Sequence, residues 1–341
     1  MDRYAVILAA GKGTRMNSRD PNHSKVSYPI LGKPLINYVL DCLQVIEAKE
    51  TITVVGFGGE ATQEIVKNRS KVVWQKEIMG TGFATLECEE LLKDKEGVTL
   101  VTAGDKPLIR PETLKDIVDK FEKEDPKLMV VSSYLTNPKG YGRIIREKPS
   151  LKVLAVREEK DANEYEKEIP EVNSGIYLFD NQLLFKYLNK AVETRRGKEF
   201  NITEIIAMIV NDGYEVNSYV VEDPMEIYSI NDRINLSYAC KVIRKRINQR
   251  LMLHGVSMED PATTYISPDA HIGRDTIIYP NTTIMGNSII GEGNRIGPDV
   301  HINNCVIGHE NCIMQAWLSD TMIGDNEVVG PFAKILGKEG K

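Results

Sequence analysis

The sequence predicts an α/β domain with a mainly parallel sheet, followed by a β-helix built from six-residue repeats. Strand-like apolar runs alternate with helix-like segments from residue 3 to about residue 222, which is typical of a parallel sheet covered by helices on both faces. Beyond residue 257, isoleucine recurs every six residues, a period that fits neither a helix nor a flat strand. We therefore divide the chain into residues 1–230, a connecting helix over 231–256, and the β-helix over 257–341.

The first domain begins with RYAVILAA, a nearly continuous apolar run of the kind expected for a strand buried on both faces. PLINYVLDCLQVIEA has helical spacing with a proline near its start, and TITVVGF and VTLVTAGD read as further strands. TGFATLECEELL and PETLKDIVDKFEK read as helices. Ligands of such sheets bind beyond the carboxyl ends of the strands, where the glycine-rich LAAGKGTRM and the sequence AGD both lie.

The connecting helix, NDRINLSYACKVIRKRINQRLMLH, is rich in Arg and Lys. These cations form either a basic surface for a partner or the solvated face of a linking helix.

The hexapeptide period predicts coils of about 18 residues in which the recurring isoleucines point inward. These isoleucines are Ile266, Ile272, Ile278, Ile284, Ile290, Ile296 and Ile302. The phase slips at Ile307 and resumes at Ile323, so the intervening MQAWLSD is expected to form a loop that carries Trp317. The result is about four coils, near the minimum that such stacking needs.

Composition excludes several classes of function. A net charge of −6 disfavours general nucleic-acid binding, so any polyanion is expected to be small and locally held. The five cysteines form no C-x-x-C pair, which disfavours a zinc site or a disulfide framework. No signal peptide is evident, and no apolar run approaches the roughly 20 residues of a membrane span. We expect a cytoplasmic protein with neither nucleic acid nor membrane as a partner.

The glycine-rich loop fits neither of the two common phosphate-binding motifs. The dinucleotide motif G-x-G-x-x-G matches Gly11 and Gly13, but Met16 occupies its last position. The P-loop motif fails because Val6 stands where its first glycine belongs. What remains is a strand, a turn able to adopt positive φ, and free backbone amides, with the phosphate-binding fork of Arg15 close by.

The loop and the motifs that follow it resemble the sugar-nucleotide pyrophosphorylases. In order they are LAAGKGTRM, QKEIMGTGFA (75–84), GDKPLI (104–109), GYGRI (140–144), EEKDA (158–162), VNSGIYLF (172–179), EFNITEII (199–206) and INDR (230–233). The pattern is most similar to the bacterial N-acetylglucosamine-1-phosphate uridylyltransferases, bifunctional enzymes that also carry an acetyltransferase β-helix. The resemblance implies a Rossmann-like nucleotidyltransferase domain, a short left-handed parallel β-helix, and a homotrimer assembled through that β-helix. It also implies UTP and N-acetylglucosamine 1-phosphate as substrates.

The implied reaction requires alignment and charge cancellation, because the sugar-phosphate nucleophile is already an anion. The resemblance makes Arg15 and Lys25 catalytic cations, although by residue type alone both could be solvated surface residues. Asp105 and Asn231 match the family's ligands to Mg²⁺, the implied cofactor. Taken alone, Asp105 could be a turn residue and Asn231 the N-cap of the long helix.

The remaining implied residues bind the nucleotide and the sugar. The nucleotide set is Leu8, Ala9, Ala10, Gly11, Gly13, Gln75, Gly80 and Thr81. An amide side chain with backbone groups can pair with the edge of uracil. Gly140, Glu158 and Asn173 match the sugar side, although the charge-rich run around Glu158 would by itself predict a solvated acid.

The sequence departs from the family pattern beside the metal site. Ala103 stands where the family commonly has Tyr, which leaves the pocket roomier, and Lys106 is an unusual residue and a candidate phosphate contact. His271, His301 and His309 match no acetyl-transfer motif, so no acetyltransferase activity is expected.

Three alternative functions stay open. The chain could be a pyrophosphorylase for another sugar phosphate or for dTTP, a hexapeptide acyltransferase with a vestigial first domain, or a catalytically inactive sugar-nucleotide sensor. The retained Arg15, Lys25, Asp105 and Asn231 argue against the last of these.

Overall fold

A computed structural model describes residues 1–20, 23–195 (the side chain of residue 195 excepted) and 200–337. It divides the chain into two compact units, Met1–Tyr28 with Pro34–Asn235 and Pro29–Lys33 with Leu236–Lys341. The sequence did not predict that residues 29–33 belong to the second unit. The last four residues of the predicted β-helix, 338–341, lie outside the described residues, as does residue 199 at the start of EFNITEII.

The described part of the first unit is built on strands that follow the predicted alternation. They are β1 (Arg3–Ala9), β4 (Glu50–Val55), β5 (Lys71–Trp74), β6 (Val98–Ala103), β7 (Leu128–Tyr134), β8 (Arg143–Arg146), β9 (Val153–Arg157), β10 (Glu171–Asp180) and β11 (Val216–Val220). The short strands β2 (Pro29–Ile30) and β3 (Lys33–Pro34) pair with each other as a separate hairpin, and residues 29–33 of it belong to the second unit. The main sheet has the order β11-β7-β10-β6-β1-β4-β5, with β8 and β9 attached at β10. β1, β4, β5 and β6 are mutually parallel and β11 is parallel to β7, whereas β10 runs antiparallel to both of its neighbours. The mainly parallel sheet is therefore as predicted.

Helices cover this sheet. They are α1 (Leu35–Leu43), α2 (Gly59–Val66), α3 (Thr81–Leu86), α4 (Glu89–Leu92), α5 (Pro111–Glu124), α6 (Glu164–Lys167), α7 (Asn181–Arg195) and α8 (Thr203–Asn211), with short 3-10 turns at Thr14–Met16, Lys25–Ser27, Gln44–Ile46 and Pro224–Ile227. A further helix, α9 (Arg233–Leu253), begins in the first unit and continues in the second. β1 is an interior strand between β6 and β4, and its residues Ala5, Val6 and Ile7 are all 0% exposed. Side chains alternate along a strand, so Val6 belongs to one hydrophobic core and Ala5 and Ile7 to the core on the other face.

The second unit contains a parallel β-helix. Its strands are β12 (Ser257–Met258), β13 (Tyr265–Ile266), β14 (His271–Ile272), β15 (Ile277–Ile278), β16 (Thr283–Met285), β17 (Ile289–Ile290), β18 (Arg295–Ile296), β19 (His301–Asn303), β20 (Val306–Ile307), β21 (Cys312–Ile313), β22 (Trp317–Ser319), β23 (Met322–Ile323), β24 (Val328–Val329) and β25 (Lys334–Leu336). They form three sheets, β12-β15-β18-β21-β24, β13-β16-β19-β22-β25 and β14-β17-β20-β23. Of the predicted inward isoleucines, Ile272 is half-buried and the other six are at most 2% exposed. Stacked aliphatic side chains therefore form the core of this unit, as the period predicts.

The prediction of a loop at MQAWLSD is wrong. Trp317–Ser319 forms β22, which pairs in parallel with β19 and β25. Leu318, at 0% exposure, takes the inward position one residue earlier than the six-residue period requires. Gln315 (φ 43°) and Asp320 (φ 52°) adopt left-handed conformations on either side of β22. These tight turns absorb the missing residue, so the coil continues through the break in the period.

None of the five cysteines, all within the described residues, forms a disulfide, and Cys42, Cys88 and Cys305 are buried. Across the described ranges, no helix combines the length and the apolar character that crossing a membrane would require.

Candidate functional site

A cavity of about 300 Å³ opens at the carboxyl end of β1. β1 lies between β4 and β6, so the cavity adjoins the carboxyl ends of parallel interior strands, where ligands of parallel sheets bind. Leu8, Ala9, Ala10 and Gly11 of the predicted nucleotide loop line it. Ala9 and Ala10 have short side chains and Gly11 has none, which leaves room for a ligand to approach the backbone amides.

Gly13 does not line the cavity, but it packs closely against Lys25, which does. Its φ is 58°, and a Cβ atom at this position would lie 2.8 Å from the Cβ of Lys25. A residue with a side chain would strain the backbone and displace the lysine.

The predicted base-reading residues Gln75, Gly80 and Thr81 line the same cavity. Gln75 is 4% exposed, and its Nε2 donates to the carbonyl of Gly80 at 3.3 Å. The Thr81 hydroxyl donates to Oδ1 of Asn201 at 3.3 Å and accepts from the N–H of Ile202 at 3.0 Å. A buried amide and nearby backbone groups are thereby fixed in place, an arrangement suited to the edge of a pyrimidine base.

Arg15, Lys25, Asp105 and Asn231 form one connected cluster. Nζ of Lys25 pairs with Oδ2 of Asp105 and lies 3.4 Å from Oδ1 of Asn231. Nη2 of Arg15 donates to the same Oδ1 atom at 3.0 Å. Lys25 and Asp105 also line the cavity, so the charged cluster adjoins the nucleotide loop.

Asn231 is not the N-cap of the long helix, which was the alternative role considered for it. α9 begins at Arg233, and Oδ1 of Asp232 accepts the N–H of Asn235 at 2.8 Å. Asp232 therefore provides the cap. The side-chain oxygen of Asn231 contacts Arg15 and Lys25 instead.

Two buried charges adjoin each other at the end of β6. Burial raises the pKa of Asp105, but the charges of Lys25 and Lys106 and the hydrogen bond from Lys25 outweigh it, so the net pKa lies below its usual value. Burial lowers the pKa of Lys106 to about 8, against the opposing effect of the Asp105 charge. Asp105 is therefore ionised at neutral pH and available as an anionic ligand.

The donor atoms of this cluster fit a hard divalent cation. Oδ1 of Asp105 is buried and has no hydrogen-bond partner in the described part of the chain. Leaving such an oxygen unsatisfied is costly, so it is a natural ligand position. One carboxylate and one amide oxygen suit Mg²⁺ when phosphates and water complete the octahedron. Among residues 1–20, 23–195 and 200–337, no group of three or more His, Cys, Asp or Glu residues is placed to hold a metal ion.

Glu158, predicted on the sugar side, lines a second cavity of about 470 Å³ together with Thr203 and Glu204. Its Oε1 accepts the hydroxyl of Thr203 at 2.8 Å, so the carboxylate is anchored rather than freely solvated. Asn201 lines both this cavity and the nucleotide cavity.

Gly140 and Asn173 line neither of these two cavities, but they lie on neighbouring backbone. The N–H of Asn173 donates to the carbonyl of Gly142 at 2.8 Å. Nδ2 of Asn173 donates to the hydroxyl of Tyr177 at 2.7 Å. Burial raises the pKa of Tyr177, the hydrogen bond from Asn173 opposes this rise, and the charge of Glu158 adds to it. A Cβ at Gly140 would meet no described atom within 4 Å, which leaves space for a ligand.

The structure adds Asn201, which the sequence did not assign, and changes the role of Lys106. Asn201 belongs to the EFNITEII motif, which signalled the segment but not a role for this side chain. Lys106 was considered as a phosphate contact, but it is 5% exposed and its Nζ donates to Oγ of Ser229 at 2.6 Å and to the carbonyl of Ile227 at 3.3 Å. The structure therefore directs Lys106 into the protein, because these distant partners compensate the cost of its burial.

Profiles of two domain families match the chain. The MobA-like NTP transferase domain matches residues 5–165, and the bacterial transferase hexapeptide family, with six repeats, matches residues 269–304. Together with the sheet order and the stacked parallel coils, these matches confirm the predicted fold class.

Full-length relatives and a solved structure agree with these matches. The bifunctional protein GlmU of Geobacillus sp. (strain WCH70) is 40% identical over 333 residues, which span 98% of this chain and 72% of the relative. The bifunctional protein GlmU of Geobacillus thermodenitrificans (strain NG80-2) is 42% identical over the same shares. A UDP-glucose pyrophosphorylase solved with UDP-glucose shares the fold, with a TM-score of 0.59 and 19% identity over 72% of this chain and 100% of that one.

Proposed function

The chain belongs to the GlmU family of sugar-phosphate nucleotidyltransferases, and from that premise we propose that it converts UTP and N-acetylglucosamine 1-phosphate to UDP-N-acetylglucosamine and pyrophosphate. The observation that carries the proposal is the cluster of Arg15, Lys25, Asp105 and Asn231 beside a cavity lined by the glycine loop. Gln75, Gly80 and Thr81 supply the groups for the base.

In this reaction an oxygen of the sugar phosphate forms a bond to the α-phosphorus of UTP. The bond from that phosphorus to the α–β bridging oxygen breaks, and its electron pair leaves with pyrophosphate. No proton has to be removed from the nucleophile, so the protein contributes positioning and positive charge.

Lys25 and Arg15 supply that charge, and both contact Oδ1 of Asn231. Lys25 lines the cavity and is positioned for the α-phosphate, whereas Arg15 is exposed and keeps further N–H donors for the leaving phosphates. Asp105 and Asn231 would hold a divalent cation, proposed to be Mg²⁺, which supplies additional positive charge to the phosphates when bound.

The test is a substrate panel. Purified protein is incubated with each pairing of UTP or dTTP with N-acetylglucosamine, glucose or galactose 1-phosphate, with Mg²⁺ or with EDTA, and pyrophosphate and the nucleotide sugar are quantified. We expect UTP with N-acetylglucosamine 1-phosphate to have the highest kcat/KM, and EDTA to abolish turnover. Pyrophosphate release from none of the pairings would refute a pyrophosphorylase.

A second candidate is a related pyrophosphorylase that uses another sugar phosphate or dTTP. It is favoured by Ala103, which lines the nucleotide cavity with only a methyl group. The same panel decides between the two, because the preferred pair identifies the substrate.

The catalytic cations have a matched control in the same loop. Replacing Arg15 or Lys25 with Ala should lower kcat by about 10²- to 10³-fold, the typical effect of removing one charge-stabilising donor. Lys12→Ala, at an exposed position outside the cluster, should leave kcat within about twofold. Equal losses in all three variants would contradict the assignment.

We also propose a homotrimer assembled through the β-helix. The sheet of β14, β17, β20 and β23 exposes Ile289, Val306 and Met322 by 50%, 41% and 77%, and such an apolar sheet face favours a partner. Light scattering coupled to size exclusion should give three times the mass of the chain. The absence of acetyltransferase activity remains a prediction; thiol release from acetyl-CoA with glucosamine 1-phosphate would contradict it.

A further inference from the structure

A buried lysine occupies the junction between the proposed metal ligands and the proposed sugar-binding turns. Lys106 directly follows Asp105, and its Nζ donates to Oγ of Ser229 at 2.6 Å and to the carbonyl of Ile227 at 3.3 Å. The backbone carbonyl of Asp105 also accepts the N–H of Ile230 at 3.0 Å. The end of β6 is thus joined at three points to the segment that carries Asn231.

The same lysine contacts the sugar side. A Cβ atom at Gly175 would lie 3.3 Å from Cε of Lys106, so the lysine stem packs directly against the backbone at this turn. The N–H of Gly175 donates to Oδ1 of Asn173 at 3.0 Å. Burial raises the pKa of Tyr141, which follows Gly140, and the backbone of Ser229 on the other side acts to lower it.

Building on the proposed function, we propose that Lys106 is a positioning residue that holds the sugar-phosphate end of the site in register with the Asp105–Asn231 pair. Its ammonium group is committed to Ser229 and Ile227 and does not face the nucleotide cavity. It acts through the segments it joins and does not touch the substrate.

This role predicts a selective kinetic effect. Lys106→Met keeps the stem packed against the Asn173 turn but removes the hydrogen bonds to Ser229 and Ile227, so that turn is no longer tied through this side chain to the segment that carries Asn231. We expect kcat/KM for the sugar phosphate to fall by about 10- to 100-fold, the scale of a small misplacement of reacting groups. The KM for UTP should change by less than about twofold, because Gln75 and Thr81 have no described contact with Lys106.

Ser229→Ala provides the second measurement. It removes one hydrogen bond and should lower the same kcat/KM by about 3- to 10-fold. Ser229→Thr retains the hydroxyl and should restore most of the loss. The double variant should be no worse than Lys106→Met alone, because the two residues share one interaction.

Lys120→Met is the matched control, since Nζ of Lys120 also donates to a backbone carbonyl, that of Ser218, at 3.1 Å and away from the cluster. It should leave both kinetic constants unchanged. Titration calorimetry with UTP in EDTA provides a readout without turnover, and UTP affinity should be equal in all variants. An unchanged sugar-phosphate kcat/KM in Lys106→Met, or an equal rise in the KM for UTP, would overturn the assignment of Lys106 alone.

If Lys106→Met does not fold, the Ser229→Ala loss and its rescue by threonine decide the question. A wild-type protein without turnover on the substrate panel would overturn the proposed function, and this inference with it.

Discussion

Replacing Gly13 with alanine tests whether the glycine turn places Lys25. Two costs follow from the structure. An alanine at φ 58° costs about 1–2 kcal/mol of backbone strain. Its Cβ would also lie 2.8 Å from the Cβ of Lys25, so the lysine backbone must move by roughly 1 Å to reach ordinary contact distance. A shift of that size at a catalytic group costs on the order of 10²-fold in rate, or about 2.7 kcal/mol at the transition state.

The control variant separates strain from displacement. Gly213 has φ 87°, but a Cβ there would meet no described atom within 4 Å. Gly213→Ala should therefore lower stability by about the same 1–2 kcal/mol in thermal unfolding without affecting turnover. Steady-state rates of pyrophosphate release at saturating UTP and sugar phosphate give kcat for both variants. The reasoning fails if Gly13→Ala keeps kcat within about threefold of wild type, or if Gly213→Ala loses as much activity.

Three further outcomes are expected. Gln75→Leu should raise the KM for UTP by about tenfold with kcat nearly unchanged, because it removes a contact that is equally strong in the ground state and the transition state. Initial rates over a series of UTP concentrations measure both constants, and a fall in kcat would show instead that Gln75 acts in the chemical step. Ile296→Ala, at 0% exposure in the β-helix core, should cost about 2–5 kcal/mol in unfolding measurements. Ile234→Ala, at 80% exposure, should stay within about 0.5 kcal/mol, and similar losses in the two variants would contradict the inward packing. The hydrogen bond from Arg3 holds the pKa of Glu122 below its usual value. Ionised Glu122 therefore contributes its full stabilisation of the folded state above the unfolded pKa of about 4.3, and this stabilisation is lost as the pH falls through the folded pKa. Glu122→Gln should therefore destabilise the protein at pH 7 and approach wild type in melts at acid pH, whereas a gap that is independent of pH would argue against the ion pair.

Periodicity and strand ends are the features that the sequence predicts well here. Ile284 and Ile296 are inward because a strict six-residue repeat leaves one side of each coil for apolar side chains. Asp105 and the glycine loop meet because the carboxyl ends of neighbouring parallel strands share one edge.

Long-range partners are what the sequence leaves open. The bond between Lys106 and Ser229 joins residues 123 positions apart, and no local pattern identifies which distant hydroxyl will satisfy a buried ammonium. Leu318 shows a second limit, because a turn can absorb one residue and keep a strand in place where the period breaks. Asn201 shows a third, since an asparagine in a motif does not reveal which cavity its side chain will line.

The shared wall formed by Asn201 has a thermodynamic consequence. The Asn201 side chain accepts a hydrogen bond from the Thr81 hydroxyl at 3.3 Å. When a ligand in one cavity shifts this side chain, the boundary of the other cavity changes shape. Linkage then requires the two affinities to change by the same factor, whichever molecule arrives first. One amide can in this way make two adjoining compartments cooperate without any movement of the domains around them.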